Sequence, residues 1–318
     1  MLGTVAATDQ PEIDATWREE WGDVAALGIT ALCVPEAHGG FGLHVPAAAA
    51  AAMEFGRALH GSPFAGLTAS AHALGAATAP DAADVLADVL AGTLIVSFAA
   101  LGPGGEMAHL VDGAHGADAL VVSDRERDRL VLLTDPASWR LGDRVTFDVS
   151  RSCADVVLDL SQGTVLGPTG IAHDLFGLLL AADAVGGVQR MLERTVDYAR
   201  ERQAFGRPIG GFQAVQHRLA DHAVRVRGMA LTVNQAAGLL AVGAPDTARF
   251  VALAELSVAS GATHVLHDLV QLTGGIGFTW EHGLHHFERR AHHDARLNGN
   301  PRAAARRLAH VEGWSDET

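Results

Sequence analysis

Cysteine is nearly absent: Cys33 and Cys153 are the two in 318 residues. A pair cannot build the disulfide framework of a small secreted domain, so a reducing, cytoplasmic setting is expected. Basic residues are also in deficit, with 23 Lys and Arg against 37 Asp and Glu, a net charge of −14 with His neutral. Such a chain repels nucleic-acid phosphates unless its basic residues gather on one face, so no nucleic-acid partner is expected. The first basic residue is Arg18, which leaves no secretory n-region. The longest uninterrupted apolar stretch, Val45 to Met53, is too short to span a bilayer, so no membrane partner is expected either. What remains is 48% hydrophobic and 19% charged, a globular composition rich in Ala. Its length suggests about two domains as a prior.

Periodicity divides the chain into three. Residues 1–91 read as helical. Trp17 and Trp21 sit four apart, with Val24, Ala25 and Leu27 continuing the apolar face. An Ala run predicts a second helix from about Pro46 to Leu59. Residues 92–165 read as a small β-domain, from the Val-, Leu- and Ile-rich runs Thr93–Phe98, Ala119–Ser123, Leu130–Thr134, Val145–Val149 and Val156–Leu160. Residues 166–318 return to long helices. One carries Leu175, Leu178, Ala182, Val185, Val188, Leu192, Val196 and Ala199 in steps of three or four. A second runs from Phe212 to Gly243, and a third from about Asp246, the expected N-cap, to Leu269. Short connections make them antiparallel neighbours in a bundle.

Two segments carry a recognisable pattern. One is Glu201-Arg202-Gln203-Ala204-Phe205-Gly206-Arg207-Pro208-Ile209, followed by Phe212-Gln213-Ala214-Val215-Gln216. The other is Gln271-Leu272-Thr273-Gly274-Gly275-Ile276-Gly277-Phe278-Thr279-Trp280-Glu281-His282. Both resemble the flavin-binding signatures of the acyl-CoA dehydrogenase family, and the stretch from Leu27 to Leu59 resembles that family's opening helices. The resemblance spans the chain. It implies a mainly α fold with a small β-domain: an N-terminal helical domain, a reduced middle β-domain and a C-terminal four-helix-type bundle. It also implies FAD, with Arg202, Phe205, Gln213, Gln271, Gly274 and Gly275 holding the ADP half of a cofactor whose flavin lies on the neighbouring subunit. The residue types suit that task. A guanidinium fork matches phosphate oxygens, and a Gly pair lets backbone N–H groups approach an anion closely.

The departures from the family pattern point the same way. Relatives take the substrate's α-proton with a Glu just before a Gly beyond the Gly-Gly motif, and here that pair is Asn298-Gly299. A minority place the Glu at the start of the helix leading to the Arg-x-x-Phe-Gly motif, and here that position is Phe176, followed by Gly177 where relatives often have a CoA-contacting Arg. Asn and Phe cannot act as the base, so no catalytic residue is expected. The Leu-Thr-Glu-Pro-type strand that bonds the flavin ring in relatives reads Phe98-Ala99-Ala100-Leu101-Gly102-Pro103. A following strand pair looks deleted around Gly113–Ala117.

The resemblance therefore implies the shortened subunit of an actinobacterial α2β2 steroid-degrading acyl-CoA dehydrogenase, with a cholesterol- or other steroid-derived acyl-CoA as substrate. A full-length paralogous partner would supply the catalytic carboxylate and most of the substrate pocket. Two alternatives stand beside it. One is a catalytically silent homo-oligomeric flavin- or acyl-CoA-binding scaffold. The other is a homomeric flavoenzyme with a displaced base such as Asp174 or Glu281.

Other signals read as structural. His282, His285, His286, His292 and His293 lack a Cys or firm carboxylate pattern, so solvated or interface histidines are expected and no metal site. Arg289, Arg290, Arg296, Arg302, Arg306 and Arg307 are expected to form a helix face paired with acids. Ser97, Ser152 and Ser260 have no nucleophile-elbow context.

Overall fold

The computed structural model describes residues 17–102, 104–142 and 146–314. Four helices come first: α1 (Trp17–Ala26), α2 (Val45–Ala58), α3 (Phe64–Ala76) and α4 (Pro80–Leu90). Trp17 and Trp21 meet edge to face at 6.0 Å, and Trp21 is fully buried. Leu27 departs from the expected face and is 78% exposed, because α1 ends at Ala26.

Seven strands follow, β1 (Val96–Ala100), β2 (Met107–Asp112), β3 (Ala119–Asp124), β4 (Arg129–Leu133), β5 (Trp139–Leu141), β6 (Cys153–Leu158) and β7 (Thr164–Gly167). They form two sheets, ordered β1-β3-β4-β7 and β2-β6-β5. In the first sheet β1 and β3 are parallel and the other pairs antiparallel. Its strands β1, β3 and β4 are buried on both faces. Val96, Phe98, Val121, Leu130 and Leu132 pack on the helices, while Ala99, Leu120, Val122, Val131 and Leu133 face the second sheet. Two covered faces explain why these strands read as continuous apolar runs.

The sequence misplaced some strands. No strand forms at Thr146–Val149, and Val145 lies outside the described residues. That segment is instead a turn in which Asp148 Oδ1 accepts from the Ser150 N–H at 2.9 Å. β2 was not expected. Its register shifts between Ala108 and Val111, and Leu110 takes a positive φ of 56°, so the alternating signal is broken by a bulge. Between β2 and β3, Ala114–Gly116 is a single 3-10 turn.

The chain then enters α5 (Gly170–Glu201), the hairpin β8 (Gln203–Ala204) and β9 (Arg207–Pro208), α6 (Gln213–Ala241), α7 (Thr247–Thr273), α8 (Leu284–Leu297) and α9 (Pro301–Val311). α5 is the central helix. It is long and apolar enough to cross a membrane, but 89% of its apolar window is buried inside the protein, as befits a core helix. It crosses α2 at two glycines: a Cβ on Gly56 would overlap the Asp183 carbonyl, and one on Gly186 would overlap that of Met53. Asp246 precedes α7 but makes no side-chain cap bond. Thr247 Oγ1 donates to the Ala244 carbonyl at 2.6 Å instead.

Buried charges lock the β-sandwich to the bundle. Arg290 on α8 donates through Nε to Asp148 Oδ2 at 3.1 Å and through Nη2 to the Ser150 carbonyl at 2.7 Å. Arg151 pairs with Asp112, and its Nη2 lies 3.2 Å from both Asp183 and Asp294. Burial alone would raise the Asp148 carboxyl; Arg290, His293 and Ser150 overcome it and hold it well below the usual carboxylate range.

Candidate functional site

The six residues expected to hold a nucleotide lie at one end of the bundle. Arg202 follows the last residue of α5, Gln213 opens α6, Gln271 sits in the last turn of α7, and Gly274–Gly275 follow it. Antiparallel packing brings these ends together. Arg218 near the start of α6 bonds Asp268 near the end of α7 at 2.9 Å, and His222 reaches the same carboxylate at 2.6 Å. Tyr198 in the last turn of α5 meets the ring of His282 at 6.0 Å.

All six residues are exposed. Phe205 and Gly206 both take positive φ, 52° and 79°, as a two-residue type I′ hairpin turn requires. The hairpin therefore holds Phe205 at its tip, 96% exposed, in a backbone state unusual for a bulky residue. Phe278, Trp280 and Ile276 add exposed apolar surface at 66%, 45% and 42%. Among the described residues Arg202 has no carboxylate partner, whereas its neighbour Arg200 pairs with Asp197 at 3.0 Å. The α6 N-terminus has no side-chain cap, so its first N–H groups point outward with the positive end of the helix dipole. A Cβ added at Gly274 or Gly275 would meet nothing within 4 Å, so their backbone is open to approach. A free guanidinium, uncapped helix N–H groups and an open Gly pair fit an anionic pyrophosphate.

The positions where a base was expected have a different character. Asn298 and Gly177, separated by most of the bundle in sequence, meet in space: a Cβ on Gly177 would overlap Asn298 Nδ2 and Glu255 Oε1. Phe176 is buried and packs on Phe98 at 4.8 Å. Asn298 thus adjoins Gly177, the neighbour of the other expected base position, and neither Asn298 nor Phe176 brings a carboxylate. Glu255 on α7 adjoins both Asn298 and Gly177. It accepts from Asn298 Nδ2 at 2.7 Å and pairs with Arg307 on α9. Sequence reading missed Glu255, because only tertiary packing brings α7 to this point. The adjoining cavity, bordered by Leu180, Ala181, Val258 and Ala291, has a volume of about 30 Å³. That is room for a few water molecules rather than for an acyl chain. At the end of β1, Ala100, Leu101 and Gly102 offer no polar side chain to a flavin ring.

The displaced bases considered from sequence fare differently. Glu281 is exposed. Asp174 is half-buried; burial pushes its carboxyl up, and Arg125 and Arg307 oppose the shift. The histidine stretch is less solvated than expected. His286 and His293 are buried, and burial with His285 and Arg289 nearby lowers His286 to about 4. Among the described residues no group of three or more His, Cys, Asp or Glu is placed to hold a metal. The arginine face is also mixed. Arg290 and Arg307 pair with acids, whereas Arg289 lies over Trp280 at 5.7 Å. Cys33 and Cys153 are free and buried, and burial pushes the Cys33 thiol up to about 12, so neither is a nucleophile.

This geometry is that of an acyl-CoA dehydrogenase-type scaffold. Residues 177–310 match the family model described as acyl-CoA dehydrogenase, C-terminal domain, and residues 4–81 match acyl-CoA dehydrogenase, N-terminal domain. Acyl-CoA dehydrogenase IpdE2 of Mycobacterium tuberculosis is 35% identical over 302 residues, covering 95% of this chain and 88% of that protein. The chain belongs to the acyl-CoA dehydrogenase family. A chain of the ChsE4–ChsE5 complex from Mycobacterium tuberculosis superposes with a TM-score of 0.81 at 25% identity, covering 96% of this chain and 90% of that one. The Tcur3481–Tcur3483 steroid ACAD superposes with a TM-score of 0.82 at 24% identity, covering 96% and 91%. That last likeness is one of fold.

Proposed function

We propose that this chain is the non-base subunit of a heteromeric FAD-dependent acyl-CoA dehydrogenase. The observation that carries the reading is a division within the molecule. The nucleotide-binding end is open, cationic at Arg202 and flanked by exposed Phe205, Phe278 and Trp280. The chain's own reaction centre holds Asn298 bonded to Glu255 beside a cavity of about 30 Å³. The exposed aromatic end suits burial against a partner chain. Arg202, Gln213, Gln271 and the Gly274–Gly275 backbone bind the ADP half of FAD, and Phe205 covers it. FAD, when bound, supplies the hydride acceptor for α,β-dehydrogenation of an acyl thioester. The full-length partner supplies the carboxylate that takes the α-proton. The likeness to the ChsE4–ChsE5 complex and to a steroid ACAD supports a two-plus-two assembly acting on a steroid-derived, for instance cholesterol-derived, acyl-CoA. A cytoplasmic location accords with two buried free cysteines.

One observation favours a second reading, a homomeric flavoenzyme whose displaced base is Glu255 rather than Asp174 or Glu281. Glu255 touches the base position, but its pairing with Arg307 argues against proton abstraction. A single experiment separates the two. The chain is expressed alone and together with a full-length family member that retains the Glu. The heteromeric reading expects colourless, inactive protein alone and a yellow, active complex on co-expression. Yellow, active protein from this chain alone would overturn it and favour the second reading.

A further inference from the structure

The junction between the β-sandwich and the bundle buries more acid than base. Four carboxyls converge there: Asp112 from β2, Asp148 from the turn after β5, Asp183 from α5 and Asp294 from α8. Among the described residues, Arg151 and Arg290 are the guanidiniums that face them. All six side chains are 7% exposed or less. The donors are unevenly shared. Arg151 Nη1 donates to Asp112, whose other oxygen takes the Cys153 thiol at 3.6 Å. Asp148 takes the Arg290 Nε–H at 3.1 Å, the Ser150 N–H at 2.9 Å and the Ser150 hydroxyl at 2.6 Å, with the His293 ring at 3.4 Å. Asp183 and Asp294 are left with less. Arg151 Nη2 stands 3.2 Å from one oxygen of each, and Arg290 Nη1 stands 3.6 Å from Asp183 Oδ1. Among the described residues, no hydrogen bond reaches Asp183 Oδ1 or either oxygen of Asp294.

A buried carboxylate oxygen without a donor is costly, and two carboxylates side by side resist ionising together. Asp183 lies within hydrogen-bond reach of Asp294. A proton between them removes one negative charge and supplies the missing donor. A metal cation would need more ligands, and among the described residues no group of three or more His, Cys, Asp or Glu is placed to hold one. Burial and the neighbouring Asp183 push the Asp294 carboxyl well up, against the pull of Arg151 and Arg290. His60, whose carbonyl accepts from Arg290 Nη1 at 3.2 Å, also faces Asp183 and Arg151. Burial lowers its ring, so it adds no counter-charge at neutral pH.

We propose that Asp183 and Asp294 hold one proton between them, and that this proton latches α5 to α8 beside Arg151 of the β-sandwich. The folded protein keeps the proton where the unfolded chain has released it. The latch is therefore complete in acid and is lost as pH rises through the value of the folded pair. It does not depend on the heteromeric reading, because every residue in it belongs to this chain. The sequence has no lysine and one tyrosine, so few other groups titrate on the alkaline side.

The test is infrared spectroscopy and calorimetry of the full chain, and of its co-purified complex where one forms, for the wild type, Asp294→Asn and Asp183→Asn. Asn keeps the size and offers an N–H where the shared proton stood, but has no proton to lose. The wild type should show the carbonyl band of a protonated carboxyl at neutral pH, and either variant should diminish it. Unfolding at neutral pH should release about one more proton from the wild type than from Asp294→Asn, counted from unfolding enthalpies in buffers of different ionisation heat. The wild type should also lose melting temperature relative to Asp294→Asn as pH rises from about 6 to 9. If one variant fails to fold, the other carries the comparison, and the wild-type band is read without either. A wild type without the protonated-carboxyl band, a band of equal strength in the wild type and the variants, or equal proton release each overturns the proposal.

Discussion

Asn298 and Arg202 carry the functional argument in opposite directions. Asn298 stands where the family resemblance expects a base, and its amide donates to Glu255 at 2.7 Å. Arg202 offers a guanidinium fork that has no carboxylate partner among the described residues. Its backbone is held firmly, donating to the Tyr198 carbonyl and accepting from the Ile209 N–H, both at 2.8 Å. Replacing Arg202 by Ala should therefore leave the hairpin folded and weaken FAD retention in the complex. Loss of a charge-assisted bond is worth about 1.5–3 kcal/mol, roughly a tenfold to hundredfold change in affinity. Flavin-to-protein ratio after gel filtration measures it, and an unchanged ratio would move the cradle elsewhere. The signatures around these residues were legible in sequence because spacing survives without structure. Glu255 was not legible, since no local pattern marks a helical Glu whose significance lies in a neighbour 43 residues away.

Among the elements, α5 organises the fold. Its Gly186 and the Gly56 of α2 let two helices touch backbone to backbone. Ala is the better helix former at either place, by about 1 kcal/mol. At this crossing the added methyl collides with a carbonyl, and overpacking of this kind costs about 1–3 kcal/mol or more. Gly186→Ala should lower the thermal midpoint, while Ala at the exposed Gly238 of α6, where a Cβ meets nothing within 4 Å, should not. Parallel melting curves decide the point. The long helices were legible from their three- and four-residue apolar steps. The β-region was less so. β2 is bulged, β5 has three residues, and the apolar run near Val149 was drawn into a turn by buried Asp148 and Ser150. Alternation cannot announce a strand that is bent, very short or replaced by a polar turn.

The whole molecule responds to acid through its buried histidines. Burial is the leading cause that lowers His60, His72, His173, His282, His285, His286 and His292 from their ordinary value. In each case the unfolded chain binds the proton more readily than the folded one. Stability is thus full above about pH 6.5 and falls as pH drops toward the folded values, near 4 for His286. Asp294 and Asp174, whose carboxyls burial pushes up, act in the opposite sense, but the histidines outnumber them. The melting temperature should therefore decline between pH 7 and pH 5, and His286→Leu should flatten that slope. A profile that is flat, or that rises toward acid, would contradict this account.

The sequence by itself determined the family and the order of a helical part, a β-region and a helical bundle. These depend on residue type and spacing along one chain. Tertiary structure alone decided that Glu255 and Arg307 pack beside Asn298 and that Arg290 and Arg151 are buried and paired. Each of those outcomes joins residues from separate elements. Whether a charge is neutralised, buried or left open to a ligand depends on which side chains packing brings within a few ångströms, and no periodicity encodes that.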